Sequence, residues 1–230
     1  MNVYIIVEGK CTETIVIPQW LKILAPKTLR INNPWDVNEN NYYLFDAGGI
    51  PQIYKHIINA VRDVSAINQS GERHYDYIMV LMDVEEETRD IIEQRIQEEL
   101  IAAQVDLVNA ELVLFEQEVC IESWFLGNRT IYKDNPQDEI LRSYTSYYNV
   151  KTDNPELMGN INIDKFATRA QFHNSYLSHI FNERHIKYKK NSPDAVCEPT
   201  YLEKLIDRYN KTGHIKTFGA WYEFIINHFV

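Results

Sequence analysis

Cysteine is scarce in this chain: Cys11, Cys120 and Cys197 lie far apart, with no C-x-x-C pair and no histidine at zinc-ligand spacing. That excludes a disulfide framework and a zinc ribbon, and an odd, scattered set is what reduced thiols in a cytoplasm look like. Long apolar runs are missing too, none approaching the ~18 residues a membrane span needs. The N-terminus opens into a strand rather than a charged signal region, so a soluble cytoplasmic protein with no membrane partner is expected. Neither G-x-x-x-x-G-K-[ST] nor G-x-G-x-x-G occurs, which removes the recognisable cradles for nucleoside triphosphates and dinucleotides. Positive charge is also short, with 23 Lys and Arg against 33 Asp and Glu and a net charge of −10. A broad basic face for coating nucleic acid is therefore excluded, because such binding is driven by neutralising phosphates. A narrow basic groove is compatible with this balance, and so is a cluster of acids neutralised by a metal.

What is present is a regular alternation of strand and helix patterns. The 230 residues, 45% hydrophobic and 24% charged, suffice for a substantial core. The chain is organised around its opening stretch, MNVYIIVEGKCTETIVIPQWL. Residues 3–7 are apolar and β-branched without interruption, which predicts a central strand buried on both faces. Glu8-Gly9-Lys10 makes a turn, and Ile15, Val16, Ile17, Trp20 and Leu21 carry a helix. Residues 42–45 predict a second strand closing on Asp46, then Gly48-Gly49 and a helix from Pro51. A third strand over 75–82 stops on Asp83, and a helix over 86–104 turns Ile91, Ile92, Ile96 and Leu100 inward. Residues 112–115 give a fourth strand, followed by a helix through Ile121, Trp124, Phe125 and Leu126. The expected fold is α/β, a Rossmann-like parallel sheet flanked by helices over residues 1–128. Residues 129–230 hold helical stretches near 137–148, 164–182, 201–209 and 216–229 and no strand, a helical C-terminal addition.

Ligands of open α/β sheets gather beyond the carboxyl ends of the strands, so acids placed there are the candidates. They are Glu8, Asp83 with Glu85, and Glu122. Converging carboxylates form a hard-oxygen site for Mg²⁺ or Mn²⁺ that accepts phosphate as a further ligand. The plainer reading of residues 83–87, DVEEE, is capping and a dipole-matched first helical turn, and it suffices for Glu86 and Glu87. Glu116, Glu118 and Glu122 form a third acidic group, the last two sharing a face if one helix covers both. Trp124 and Leu126 suit a core rather than a stacking platform. Lys10 suits either a phosphate contact or a solvated surface. The run Arg184-His185-Ile186-Lys187-Tyr188-Lys189-Lys190 interleaves basic residues with an aromatic. Such a pattern fits a strand-tracking groove or a solvated loop. Lys189, directly after Tyr188, is its preferred member. The histidines show no metal-ligand spacing.

The runs VYIIVEGKCTE, VLMDVEEE and VCIESWFLG together resemble the Toprim fold of small standalone bacterial Toprim proteins and of the C-terminal domains of OLD-family nucleases. The resemblance covers roughly residues 1–128. It implies that Glu8 is the glutamate behind the first strand, Asp83 and Glu85 the D-x-E pair, and Glu122 a further acidic position. It implies Mg²⁺- or Mn²⁺-dependent hydrolysis of DNA or RNA, with Glu8, Asp83, Glu85 and Glu122 as metal ligands. Glu8, Asp83 and Glu85 with Lys189 are the candidate catalytic set, and Lys10, Lys187, Lys189 and Lys190 the candidate nucleic-acid contacts. For standalone members it further implies an ABC-type ATPase partner in defence against phage. A homo-oligomer is compatible with this reading; topoisomerase and primase activities are not implied. The rival is a non-catalytic subunit that keeps the fold and binds an ATPase or a phage protein. A nuclease gathers Glu8, Asp83 and Glu85 around one ion, whereas an interaction subunit leaves them dispersed or neutralised by Lys or Arg.

Overall fold

A computed structural model describes the chain except residues 72, 85–86, 162–164 and 230. Two compact units emerge: residues 1–82, 87–116 and 223–230 form the first, and residues 83–86 with 117–222 form the second. Residues 117–128 thus belong with the helices that follow them.

Among the described residues the sheet has five strands: β1 Val3–Val7, β2 Leu29–Ile31, β3 Asn41–Asp46, β4 Tyr77–Val84 and β5 Glu111–Glu118, in the order β2-β3-β1-β4-β5. β1 runs parallel to β3 and to β4, and β2 parallel to β3. The amides of Glu111 and Val119 bond the carbonyls of Asp76 and Val84, the same offset at each end, so β5 is parallel to β4. β1 is the middle strand and every one of its residues is buried, as its unbroken β-branched run requires. The helices α1 Thr12–Leu24, α2 Gln52–Gln69 and α3 Arg89–Ala102 accompany the sheet.

Two local expectations change. β2 is a fifth strand, an edge of three residues with Leu29 63% exposed, too short and too open to leave an alternating pattern. α3 starts at Arg89 rather than 86, and its inner face carries Ile92 and Ile96 while Ile91 is 47% exposed. Residues four apart share a face and adjacent ones do not, so Ile91 faces solvent.

In the second unit α4 Ile121–Phe125, α5 Glu139–Tyr147, α6 Arg169–Glu183, α7 Asp194–Cys197 and α8 Pro199–Thr212 surround a core that includes Trp124, Phe125, Phe172, Tyr176 and Phe181. α9, Lys216–His228, begins in this unit and ends in the first. Trp124 and Leu126 are fully buried, as their positions suggested. Buried Arg208 donates to the carbonyls of Gly127, Val150 and Asp153 at 3.2, 2.8 and 2.6 Å. Buried Glu156 accepts the amides of Lys216 and Thr217 at 2.7 and 3.0 Å, the role of a carboxylate at a helix N-terminus.

Thr217 joins this helix start to the core. Its hydroxyl donates to Glu156 Oε1 at 2.5 Å and accepts from Trp124 Nε1 at 2.7 Å. The Glu118 amide also donates to it at 3.4 Å. Thr217→Val keeps the shape and removes all three bonds, so it is expected to cost about 1–3 kcal/mol. Urea unfolding measures this, and an unchanged midpoint would show that the network contributes nothing.

Candidate functional site

Glu8 is half-buried immediately after β1. Its amide donates to Leu81 at 3.1 Å, carrying the β1–β4 ladder one residue past the strand, and its carbonyl accepts from Gly49 at 3.0 Å. The turn after β1 is thereby tied to the loop after β3, whose Gly48 and Gly49 take φ values of 72° and 96° that side-chain-bearing residues avoid. Lys10 lies over this loop, its Cε 2.7 Å from the point a Cβ on Gly48 would occupy. It is exposed, but held against backbone.

Glu13 was not among the expected site residues. Its side chain is buried, and its carboxylate fills the space a Cβ on Gly9 would need. A second acid is thus folded against the residue that follows Glu8. The signal was an acid in the first helical turn among apolar neighbours, which looks like ordinary dipole matching until its burial is known.

The second unit holds a different acidic group. Asp83 sits half-buried on β4, and Cys120 and Glu122, at the start of α4, are each 1% exposed. Lys190 Nζ lies 3.1 Å from Glu122 Oε1, with 58% of the lysine side chain open to solvent. The Tyr188 hydroxyl points to the same oxygen at 3.4 Å. Burial pushes the Cys120 thiol well above its ordinary value, and the charges of Glu122 and Asp83 push it the same way. Burial alone would lower the Lys190 pKa, yet Glu122 foremost, with Cys120 and Asp83, raises it. Lys190 is therefore a fully charged ammonium among groups that favour that charge.

A buried line of polar groups continues from Cys120. Its Sγ is 3.9 Å from Ser123 Oγ, which is 2.8 Å from His173 Nδ1, and His173 Nε2 is 2.9 Å from the Met158 carbonyl. Burial lowers the His173 pKa to about 4, so the ring is neutral. Its Nε2–H donates to Met158 and its Nδ1 accepts the Ser123 hydroxyl proton. His173 is positioned by this pair of bonds.

Several expected site residues fall elsewhere. Glu85 and Glu86 lie outside the described residues. Glu87 pairs with Arg95 at 2.7 Å at the surface. Glu118 is the last residue of β5 and pairs with Arg169 at 3.5 Å, so it shares no helix face with Glu122. The strand simply runs further than the apolar pattern shows. The lysine that reaches an acid is Lys190, whereas Lys187 and Lys189 are exposed. His56 packs on Phe45 and His179 pairs with Asp138 at 2.5 Å, structural roles for both. Among the described residues no three His, Cys, Asp or Glu side chains are grouped to hold a metal, and no helix is long and apolar enough to cross a membrane.

No family model, curated protein or solved structure matches the chain. Lys10, half-buried Glu8 and buried Glu13 lie along the first unit's β1–α1 turn and helix start, and Asp83, Glu122 and Lys190 are near one another in the second. Carboxylates of this kind suit a hard cation or a proton transfer, and lysines suit a phosphate.

Proposed function

We propose that the chain is a divalent-metal-dependent nuclease of Toprim type, hydrolysing phosphodiester bonds in DNA or RNA as the cytoplasmic effector of an anti-phage system governed by an ABC-type ATPase. The observation that carries this reading is the pairing of β1 with β4. These are hydrogen-bonded parallel neighbours, Glu8 following one and Asp83 lying at the carboxyl end of the other. Carboxyl ends of neighbouring parallel strands are where α/β proteins place their chemistry. The assignment to Toprim and to a defence system rests on the resemblance of the three runs quoted above.

The donor chemistry fits a hard cation. Mg²⁺ asks for only one or two carboxylates, water and substrate phosphate supplying the rest, so Glu8 and Asp83 with Glu85 are sufficient in kind. Glu122 already faces Lys190 and is better placed to hold that lysine than an ion. A bound cation would polarise the scissile phosphate and lower the pKa of a water. Glu8 holds the site's charge or accepts the proton of the attacking water. Lys190, oriented by Glu122 and kept charged, is the second unit's candidate to offer positive charge to a phosphate oxygen, and Lys10, seated on Gly48, is the first unit's.

The Glu122–Lys190 pair is also the observation that favours the second reading, a non-catalytic interaction subunit, since there an acid is neutralised by a lysine. Thermal melting separates the two. Mg²⁺ or Mn²⁺ is expected to raise the melting temperature by binding the folded state, and Asp83→Ala to remove most of that rise. An equal rise in the variant would move the ion elsewhere and favour the interaction subunit.

A further inference from the structure

We infer that the turn between α6 and α7 forms a pocket for one unpaired nucleotide of a nucleic-acid strand; that the ligand is a strand rests on the nuclease reading. The turn lines an open cavity of about 700 Å³ with Asn182, His185, Lys187, Tyr188, Lys189 and Asn191, among others. It is built rather than draped. At one end Arg184 donates to the carbonyls of Thr130, Ile131 and Tyr132 at 3.2, 2.9 and 2.7 Å, and His185 at φ 57° closes α6. At the other end Lys190 is held on Glu122 at 3.1 Å, and the Ser192 amide bonds the Lys189 carbonyl at 2.9 Å. The cavity's shape is therefore set before a ligand arrives, which lowers the cost of binding.

Its chemistry divides along the run. Arg184 and Lys190 are engaged in holding the turn, whereas Lys187 and Lys189 are exposed and form no ion pair among the described residues. In a chain of net charge −10, two exposed lysines that form no ion pair among the described residues, both lining one cavity, suit an anion-binding mouth. Between them Tyr188 is fixed by Phe181, its ring centroid 5.2 Å away, and by its hydroxyl on Glu122. A fixed aromatic offers a base a stacking face, and the Asn182 and Asn191 amides carry the donors and acceptors that base edges need. The volume is that of a small-molecule site, roughly 300–1,000 Å³. A duplex cannot enter it, since its major groove alone is about 12 Å wide. Tyr188 touches both this cavity and Glu122, so a nucleotide seated here lies beside the acid-and-lysine group.

Binding of a labelled single-stranded 12-mer, the matching duplex and an unlabelled nucleoside monophosphate as competitor tests this, in EDTA so that nothing is cut. The single strand is expected to bind about tenfold or more tighter than the duplex, in line with base stacking on an aromatic. Lys187→Ala/Lys189→Ala should weaken binding of the strand and lower the slope of log affinity against log salt by about 1.4, two phosphate contacts' worth for a single strand. Both side chains are exposed, so the variant's melting temperature should match that of the native chain. Equal affinity for strand and duplex, or an unaltered slope in the variant, overturns the pocket. Binding of the monophosphate with no binding of the strand also overturns it. A cleavage assay run alongside separates the two claims: cutting without strand preference defeats the pocket alone, and strand preference without cutting defeats the nuclease reading alone.

Discussion

Glu8→Gln is expected to lower nuclease activity by at least about a hundredfold, assayed with Mn²⁺ and with any cognate ATPase supplied, the smaller end of what loss of a general base costs. Glu8 directly follows a strand whose five residues are all buried and hydrogen-bonds through its backbone to Leu81 and Gly49. Gln has the same shape and leaves those backbone bonds in place, so only the charge is removed. That charge is what would hold a cation or accept a proton. Stability should hold or rise slightly, because a charge is removed from a half-buried position at the end of a buried strand. Steady-state cleavage and thermal melting on the same preparation read both effects. A folded variant that cuts as well as the native chain would sink the Toprim-nuclease assignment. A native chain that never cuts, with any metal or partner, would favour the interaction subunit.

The features legible in the sequence are those written locally. β1 could be placed in the middle of a parallel sheet because residues 3–7 are apolar without a break, and Asp83 could be placed at a strand's carboxyl end for the same reason. β2 could not, since a three-residue edge carries no period. Glu118 falls on the strand because β5 continues through Glu116, Gln117 and Glu118, polar residues that carry no apolar pattern, and there it pairs with Arg169. The partner of Glu122 was beyond reach of any local pattern. Lys189 and Lys190 are adjacent and chemically alike; in the folded chain Lys189 bridges Ser192 through its backbone while the Lys190 side chain meets the acid. Glu13 shows the same limit from the other side: its type and position suit a helix start, and only its burial against Gly9 sets it apart. The architecture follows from periodicity, whereas the site depends on side chains meeting across distant parts of the chain.

Acid is expected to weaken the second unit through His173. The ring is fully buried, its Nε2–H bonded to Met158 and its Nδ1 to the Ser123 hydroxyl, and burial holds its pKa at about 4 against an ordinary 6.5. Between those two values the unfolded chain binds a proton that the folded chain refuses. Stability therefore falls as pH drops through about 6.5 and stops falling on this account near 4, a loss of roughly 3 kcal/mol. His173→Gln supplies a control, since an amide offers an acceptor to Ser123 and a donor to Met158 without titrating. Urea unfolding of both proteins at pH 7 and pH 4 isolates the effect. Carboxylate pairs that also fail in acid, such as Asp138 with His179, are common to both and cancel in the difference. The native chain should lose about 3 kcal/mol more than the variant over this range. Equal losses would mean that His173 accepts its proton at an ordinary pH, and that Ser123 and Met158 do not hold it neutral. Ser123 stands next to Glu122 in α4, so a protonated His173 would also bring positive charge toward the acid that Lys190 now balances.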